Sequence, residues 1–422
     1  MTPTMNLISA ALFALAIVHT FSTRFFEHLA HLRPRHAGLW HLLGEVEVVF
    51  GFWALILLLA MWCIDGANAA TQYLDSRQFT EPLFVFAVMV IAASRPILHS
   101  AMHAIRCVAR TIPLAGSSGF YFTVLTLVPL LGSFITEPAA MTLAALILAD
   151  AVFCRGISAR LKYATLGVLL VNISIGGTLT SFAAPPVLMV AEKWHWDSSF
   201  MFWQLGWKAA LAVLANAAGA TILFRKELGR LDVEHTPQGS GRVRDPAPFA
   251  LTLVHLAFLT AVVVCAHHPA LFMGLFLFFL GVSHAYERHQ DRLILREALL
   301  VAFFLAGLVV LGGQQQWWLQ ALLMRMDSGM VFFGAAILTA FTDNAALTYL
   351  GSLVEGLSGG FKYALVTGAV TGGGLSIIAN APNPAGIAIL RGHFDEASVN
   401  PLGLLLAAVA PTIVAALAFR YL

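Results

Sequence analysis

The sequence predicts an all-α polytopic membrane protein with ten transmembrane helices and two re-entrant helical hairpins, arranged as two inverted repeats. Three observations lead to this prediction. Hydrophobic residues make up 59% of the chain and charged residues only 11%, which is unlike a soluble domain. Apolar runs of about 20 residues, the length that crosses a bilayer, recur from end to end. A stretch that carries one acidic residue in strongly apolar surroundings occurs twice.

The two copies share an acidic triplet, a Lys-Tyr-Ala sequence, and a Gly-Gly pair that leads into prolines. In the first copy these landmarks are Thr136-Glu137-Pro138, Lys162-Tyr163-Ala164, Gly176-Gly177 and Pro185-Pro186. In the second copy they are Thr342-Asp343-Asn344, Lys362-Tyr363-Ala364, Gly373-Gly374 and Pro382-Asn383. Because the landmarks keep their order with only small changes in spacing, we interpret the stretches as an internal repeat.

The first predicted repeat covers residues 1–225 and begins with scaffold helices in residues 1–100. Its predicted spans are 5–20, 42–64, 82–100, 163–190 and 203–225. The first of them has no basic residue before it and no cleavage site after it, so we expect it to be retained.

Residues 118–150 are apolar on both sides of Thr136-Glu137-Pro138, and each arm is short for a full crossing. We therefore expect a re-entrant hairpin with a polar tip. Such a tip implies a site, because non-helical backbone at membrane depth needs protein or a water-filled cavity around it. Glycine and proline interrupt span 163–190, so we expect a broken helix whose free ends can bind an ion or substrate.

The second predicted repeat covers residues 248–422 and follows a polar linker at 226–247. Its predicted spans are 248–266, 270–287, 293–313, 361–390 and 401–420, with a hairpin at 317–357 and a broken helix at 361–390. Each repeat has an odd number of full spans, so the two must be inserted in opposite orientations.

The loop charges predict the orientation. Of the 24 Lys and Arg residues, only Arg77, Lys193, Lys208, Arg325, Lys362 and Arg420 fall on one side of the predicted topology. The richer side, with the linker, is cytoplasmic by the positive-inside rule. Both termini are then periplasmic, the hairpins enter from opposite sides, and their tips can meet near the midplane.

Glu137 and Asp343 are the strongest candidates for chemistry, since an ionisable group at membrane depth is costly and rarely kept without a use. A carboxylate there can exchange a proton for a metal cation. Alternatively, each carboxylate only caps a half-helix inside its hairpin, where Thr136 or Thr342 can also cap. The two readings are compatible.

Neutral oxygens near the predicted breaks are candidate sodium ligands, because hard cations favour oxygen. They are Thr178, Thr180 and Ser181 in the first break, Asn380 and Asn383 in the second, and Asn344 beside Asp343. A sodium site is predicted from Asp343, Asn344, Thr178 and Asn380. Alternatively, these groups only repair backbone hydrogen bonds. For Glu45 and Glu47, at the start of span 42–64, we expect an interfacial or structural role.

Several activities lack their motifs. The chain has no phosphate-binding loop with Lys-Ser or Lys-Thr, no HExxH and no GxSxG, which disfavours an ATP-driven pump or a hydrolase. The four cysteines have no metal-type spacing. We therefore expect no enzymatic activity, no catalytic residue and no cofactor, apart from sodium and protons as transported or coupling ions.

With these motifs, twice and inverted, the sequence resembles the ion transporter superfamily, which includes sodium/proton antiporters, arsenite permease and citrate and dicarboxylate carriers. Phe341-Thr342-Asp343-Asn344, Gly177-Thr178 and Ala184-Pro185-Pro186 are most similar to a family of putative sodium/proton antiporters. The resemblance implies an elevator-type transport domain on a dimeric scaffold. It implies a site lined by Thr136, Glu137, Thr178, Thr342, Asp343, Asn344, Asn380 and Asn383. The carboxylate carriers instead have a Ser-Asn-Thr-like triplet at each tip.

We therefore expect a secondary transporter in the bacterial inner membrane that exchanges sodium for protons. Its partners would be membrane lipid, a small cation and, by resemblance, a second copy of the chain, but no nucleic acid. One alternative keeps the fold and transports an anion such as arsenite or a small carboxylate. Another is a membrane sensor or scaffold that binds a ligand without transport.

Overall fold

The computed structural model describes residues 3–114, 117–231, 247–394 and 398–422, and every regular element in these ranges is helical. The predicted all-α class is confirmed for this part of the chain. Most of the predicted linker 226–247 lies outside the described residues.

The helices follow one another along the chain with short connections. The part before residue 112 contains α1 (Pro3–Phe21), α2 (Thr23–Leu32), α3 (Ala37–Gly44), α4 (Val46–Asp65), α5 (Ala67–Asp75), α6 (Thr80–Ala92) and α7 (Arg95–Thr111). The next part contains α8 (Ser118–Ile135), α9 (Glu137–Ala151), α10 (Ala159–Gly176), α11 (Pro185–Trp194), α12 (Ser198–Met201), α13 (Trp207–Leu223) and α14 (Arg225–Leu228). The last part contains α15 (Phe249–Val264), α16 (Pro269–Ala285), α17 (Leu295–Gly312), α18 (Gln316–Leu323), α19 (Ser328–Thr339), α20 (Asn344–Ser352), α21 (Gly359–Gly372), α22 (Asn383–Leu390) and α23 (Pro401–Tyr421).

Eight helical stretches in the described residues are long and apolar enough to cross a membrane. They are Pro3–Thr20, Glu47–Asp65, Ser118–Ile135, Glu137–Arg155, Ala159–Leu179, Ser198–Leu223, Leu295–Gly312 and Pro401–Tyr421. Helices α15, α16 and α19 are apolar but shorter. The chain is therefore a multi-pass membrane protein, and the count of ten full spans stays a prediction.

The predicted span 82–100 is not one continuous helix. Helices α6 and α7 meet at an angle of 65° after a short break. Pro96 lies in the first turn of α7, where it has no N–H to continue the helix from α6, and the residue before a proline disfavours helical backbone.

The first predicted hairpin, 118–150, consists of α8 and α9, which pack against each other and meet at Thr136. Thr136 has a φ of 72°, an uncommon backbone conformation for a β-branched residue. The expectation that both arms are short for a crossing was wrong, since α8 has 18 residues and the stretch Glu137–Arg155 has 19.

The second predicted hairpin, 317–357, starts too early. The structure divides this range into α18, α19 and α20, and α19 begins only at Ser328, where the Asp327 carboxylate accepts the Met330 N–H at 2.8 Å. Because α18 is itself apolar, the sequence pattern joined it to α19 as one arm of the hairpin. Helices α19 and α20, with 12 and 9 residues, are shorter than α8 and α9.

Two non-helical segments fall at the Gly and Pro residues of 163–190 and 361–390. The first joins α10, through the single turn Gly177–Leu179, to α11, and the second joins α21 to α22. Helix α9 packs against α22, and α20 packs against α11. Each acidic triplet therefore lies beside a helix from the other half of the chain.

A second group of helices, α1, α4, α6 and α17, packs together at one side. Helices α4 and α17 approach closely at Gly51 and Gly307, where a Cβ on either glycine would collide with the opposite helix. Small residues at a helix crossing permit this kind of backbone contact in membranes. The group contacts α20 through α17, and so provides one wall beside the Asp343 tip.

Candidate ion-binding site

Glu137 is the first residue of α9, and its side chain is fully buried. The Asn380 side chain, from the non-helical segment after α21, donates to Glu137 Oε2 at 2.8 Å. The other oxygen, Oε1, has no hydrogen-bond partner among the described residues. Gly177 lies directly against this carboxyl group, where a Cβ would collide with it. Glu137 thus joins the first tip to both non-helical segments.

Many of the buried oxygens without a hydrogen-bond partner in the described part of the chain lie around the two tips and breaks. Those at the tips and breaks are Thr136 Oγ1, Glu137 Oε1, Thr339 Oγ1, Asn344 Oδ1, Thr371 Oγ1, Ser376 Oγ, Asn380 Oδ1 and Asn383 Oδ1, and others, such as Ser94 Oγ and Ser283 Oγ, lie elsewhere. An unpaired buried polar atom costs about 1 to 3 kcal/mol, and buried polar groups nearly always have a partner. Oxygens of this kind fit a cation, a proton or water as the missing partner.

Asp343 stands in different surroundings. It is half-buried at the start of α20, where its Oδ1 accepts the N–H groups of Ala345 at 2.8 Å and Ala346 at 3.3 Å. The backbone N–H of Ala381 is a third donor. Backbone donors and a helix N-terminus both favour the negative form of a carboxyl group. The capping role that the sequence allowed for Asp343 is therefore present in the structure, whereas Glu137 makes no such cap.

Asn344 and Asn383 hold the second break against α10. The backbone N–H of Asn344 bonds Ala379 O at 3.1 Å, and its side-chain amide lies 3.4 Å from Ser174 Oγ. The Asn383 amide donates to Gly373 O and Ser376 O, both at 2.8 Å. The side-chain oxygens of Asn344 and Asn383 have no hydrogen-bond partner among the described residues. These two residues therefore position the break and can each accept a further hydrogen bond or bind a cation.

The threonines of the predicted ligand set use their hydroxyl protons on backbone carbonyls. Thr178 donates to Ile175 O at 2.7 Å, Thr180 to Ser133 O at 2.6 Å, and Thr342 to Leu338 O at 3.2 Å. These bonds match the alternative that such groups repair the backbone. Of the four threonines in the predicted ligand set, Thr136 alone has a hydroxyl without a hydrogen-bond partner among the described residues.

Sequence reasoning did not select Ser133 and Ser174. Ser133 donates to Gly176 O at 2.7 Å and accepts the Leu179 N–H at 2.9 Å, which fixes the first break to the first tip. Ser174 donates to Val370 O at 2.8 Å and so joins α10 to α21. Ser133 lies three residues before Thr136 and Ser174 two residues before Gly176, and this closeness to the landmarks of the repeat was the available signal.

Glu47 was also assigned only an interfacial or structural role. It lines a cavity of about 30 Å³ together with Asp343 and Asn380. Glu45, two residues earlier, turns away and pairs with Arg296 at 2.5 Å. The residues therefore have separate environments, as expected for positions two apart on a helix.

The site is made of carboxylate, amide and hydroxyl oxygens. Among the described residues, no group of three or more His, Cys, Asp or Glu side chains could hold a metal ion. A transition-metal centre would draw on such a group. Carboxylate, amide and hydroxyl oxygens are ligands that suit a hard cation.

These features define a multi-pass membrane protein of the transporter class. A family model described as "Putative Na+/H+ antiporter" matches residues 4–422, and the chain therefore belongs to that family. This confirms the resemblance expected from the sequence. A comparison with curated protein sequences gave no match.

Proposed function

We propose that this protein is a secondary active transporter that exchanges sodium for protons at Glu137, Asp343 and the asparagines of the second break. The observation that carries the proposal is the group of buried oxygens without protein partners around Glu137 and Asn380. A carboxylate and several neutral oxygens are the donor set that a sodium ion requires.

Exchange follows from the cost of an uncompensated charge. A buried carboxylate with one amide donor is strongly unfavourable unless a proton or a cation accompanies it. Glu137 is then tolerated when protonated or when sodium is bound, but not when empty and charged. If only the tolerated forms allow the site to change sides, inward movement of one ion is coupled to outward movement of the other.

An elevator-type movement between inverted repeats has support in the packing. Each acidic tip lies beside the broken helix of the other half, through the contacts of α9 with α22 and of α20 with α11. Cavities also lie against both breaks. One, of about 660 Å³, reaches Ser181 in the first break, and the 30 Å³ cavity reaches Asn380 in the second. Alternating access requires that such a break can be reached from each side of the membrane in turn.

The same proposal includes the sequence-based orientation. Both termini are then periplasmic, the protein lies in the bacterial inner membrane, and a dimeric scaffold supports the moving part. The two carboxylates make an anion such as arsenite or a dicarboxylate a poor substrate, because they would repel it.

The test is a sodium jump on reconstituted vesicles that contain a pH reporter. Wild-type protein is expected to dissipate a preformed pH gradient when sodium alone is added. Asp343→Asn is expected to abolish this response while the purified protein keeps its melting temperature, because asparagine also caps a helix. Sodium binding without proton movement in the wild type would favour a sensor, and full exchange by Asp343→Asn would remove Asp343 from the site.

A further inference from the structure

The start of α4 carries two carboxylates with different neighbours. Glu45 is bonded to Arg296 at the surface, at 2.5 Å. Glu47 faces the cavity between α4 and the second acidic tip. Because α4 belongs to the group of α1, α6 and α17, Glu47 meets Asp343 from a different packed group of helices.

The cavity is small and mainly apolar. Its volume is about 30 Å³, and Phe50, Val301 and Phe304 form much of its wall. This space accommodates one or two waters, and therefore a small cation that keeps part of its hydration shell. Two carboxylates on one apolar cavity repel each other unless a cation or a proton lies between them.

Asn380 supplies an independent sign of a ligand. It is fully buried and lines the cavity, and its Oδ1 has no hydrogen-bond partner within the described ranges. Its Nδ2 donates to Glu137 at 2.8 Å. The same amide therefore has one end on Glu137 and an acceptor to offer to an ion beside Asp343.

We infer that Glu47, Asp343 and Asn380 form a binding site for a partly hydrated monovalent cation, from which the ion passes to Glu137. We call it the outer site because it lies on the cavity side of Asn380, whereas Glu137 is bonded to the amide nitrogen of that residue. This inference rests on the proposed exchange function and names a residue that it does not require. Glu47 comes from the helices beside the moving part, so the outer site is complete only when the second tip stands next to α4. Glu47 then sets the affinity for sodium on the side that this cavity faces.

The experiment compares Glu47→Gln with Glu45→Gln in the sodium-jump assay, over a range of sodium concentrations. Glu47→Gln is expected to raise the KM for sodium about tenfold, since a charged ligand is replaced by a neutral one, with a smaller change in the maximal rate. Glu45→Gln, which alters a partly exposed ion pair, is expected to keep the KM within about twofold. A merely structural role for Glu47 would lower the maximal rate and leave the KM unchanged.

Glu47→Asp keeps the charge but withdraws it by one methylene group, and is expected to give an intermediate KM. If Glu47→Gln does not fold, this variant decides the question. A wild-type KM in Glu47→Asp would then overturn the inference, and so would a wild-type KM in a folded Glu47→Gln.

A second measurement separates failure of the inference from failure of the exchange function. Sodium should raise the melting temperature of the purified wild type, and Glu47→Gln should reduce this shift. If the wild type moves no protons but shows the Glu47-dependent shift, the exchange function is wrong and the outer site stands. If sodium gives neither flux nor a shift, both are wrong.

Discussion

The two acidic tips occupy matching places in the sequence repeat but have unlike surroundings. Glu137 is fully buried, accepts one hydrogen bond from an amide, and keeps one oxygen free of partners in the described structure. Asp343 is half-buried, is held by backbone N–H groups, and shares a cavity with Glu47. The comparison teaches that a repeated carboxylate need not have a repeated role. Glu137 has a carboxyl oxygen that is open to a new partner, whereas the Asp343 carboxyl group is held in place by backbone donors.

The largest effect is expected for Glu137→Gln. Glutamine preserves the shape and can accept the Asn380 hydrogen bond, but it cannot release a proton or neutralise a cation. Sodium-dependent proton movement should fall to the level of empty vesicles. The melting temperature without sodium should be at or above that of the wild type, because a buried charge with few partners has been removed.

Glu297→Gln is the matched control for this charge change, because Glu297 is exposed on the first turn of α17. It should retain wild-type exchange. If Glu137→Gln exchanges sodium as the control does, the contrast between the two tips has no functional meaning.

A smaller effect is expected for Gly177→Ala, which leaves every charge in place. The added methyl group would collide with the Glu137 carboxyl group, so the tip or the first break must shift. Overpacking of this kind costs about 1 to 3 kcal/mol and should lower both the exchange rate and the melting temperature. Gly219→Ala is the control, since its methyl group meets nothing within 4 Å. Equal behaviour of the two variants would show that Glu137 has room to move.

Sequence reasoning could predict the helical class, the two acidic positions and the non-helical segments, since these follow from composition, apolar burial cost and Gly or Pro chemistry. It could not predict which oxygens are already used. Whether Thr178 bonds Ile175 O or an ion depends on the local turn, and the pairing of Asn380 with Glu137 joins residues 243 positions apart. The shared cavity of Glu47 and Asp343 was missed for the same reason, because the two residues come from distant parts of the chain.

The 65° bend between α6 and α7 shows a different limit. The apolar pattern across 82–100 is continuous enough for one span. Pro96 interrupts the helix there, but an average of hydropathy over a window does not detect a single proline. The start of α19 at Ser328 was missed in a similar way. Asp327, which caps this helix, is a local signal in the sequence, but the apolar residues of α18 before it made the two helices look like one arm. Element type was thus easier to predict than where each element begins.

The smallest expected effect is a difference in stability, which separates the cap of Asp343 from its charge. Asp343→Ala removes the side-chain acceptor for the Ala345 and Ala346 N–H groups and should reduce the free energy of unfolding by about 1 kcal/mol. Asp343→Asn should change it by only a few tenths, because asparagine caps nearly as well. Thermal melting of the two purified variants against the wild type measures the difference. Since both variants lose the charge, both should lose exchange, and only the alanine variant should lose stability. Equal stability in the two would mean that the cap contributes little to the fold, and that the backbone donors around Asp343 serve the anion alone.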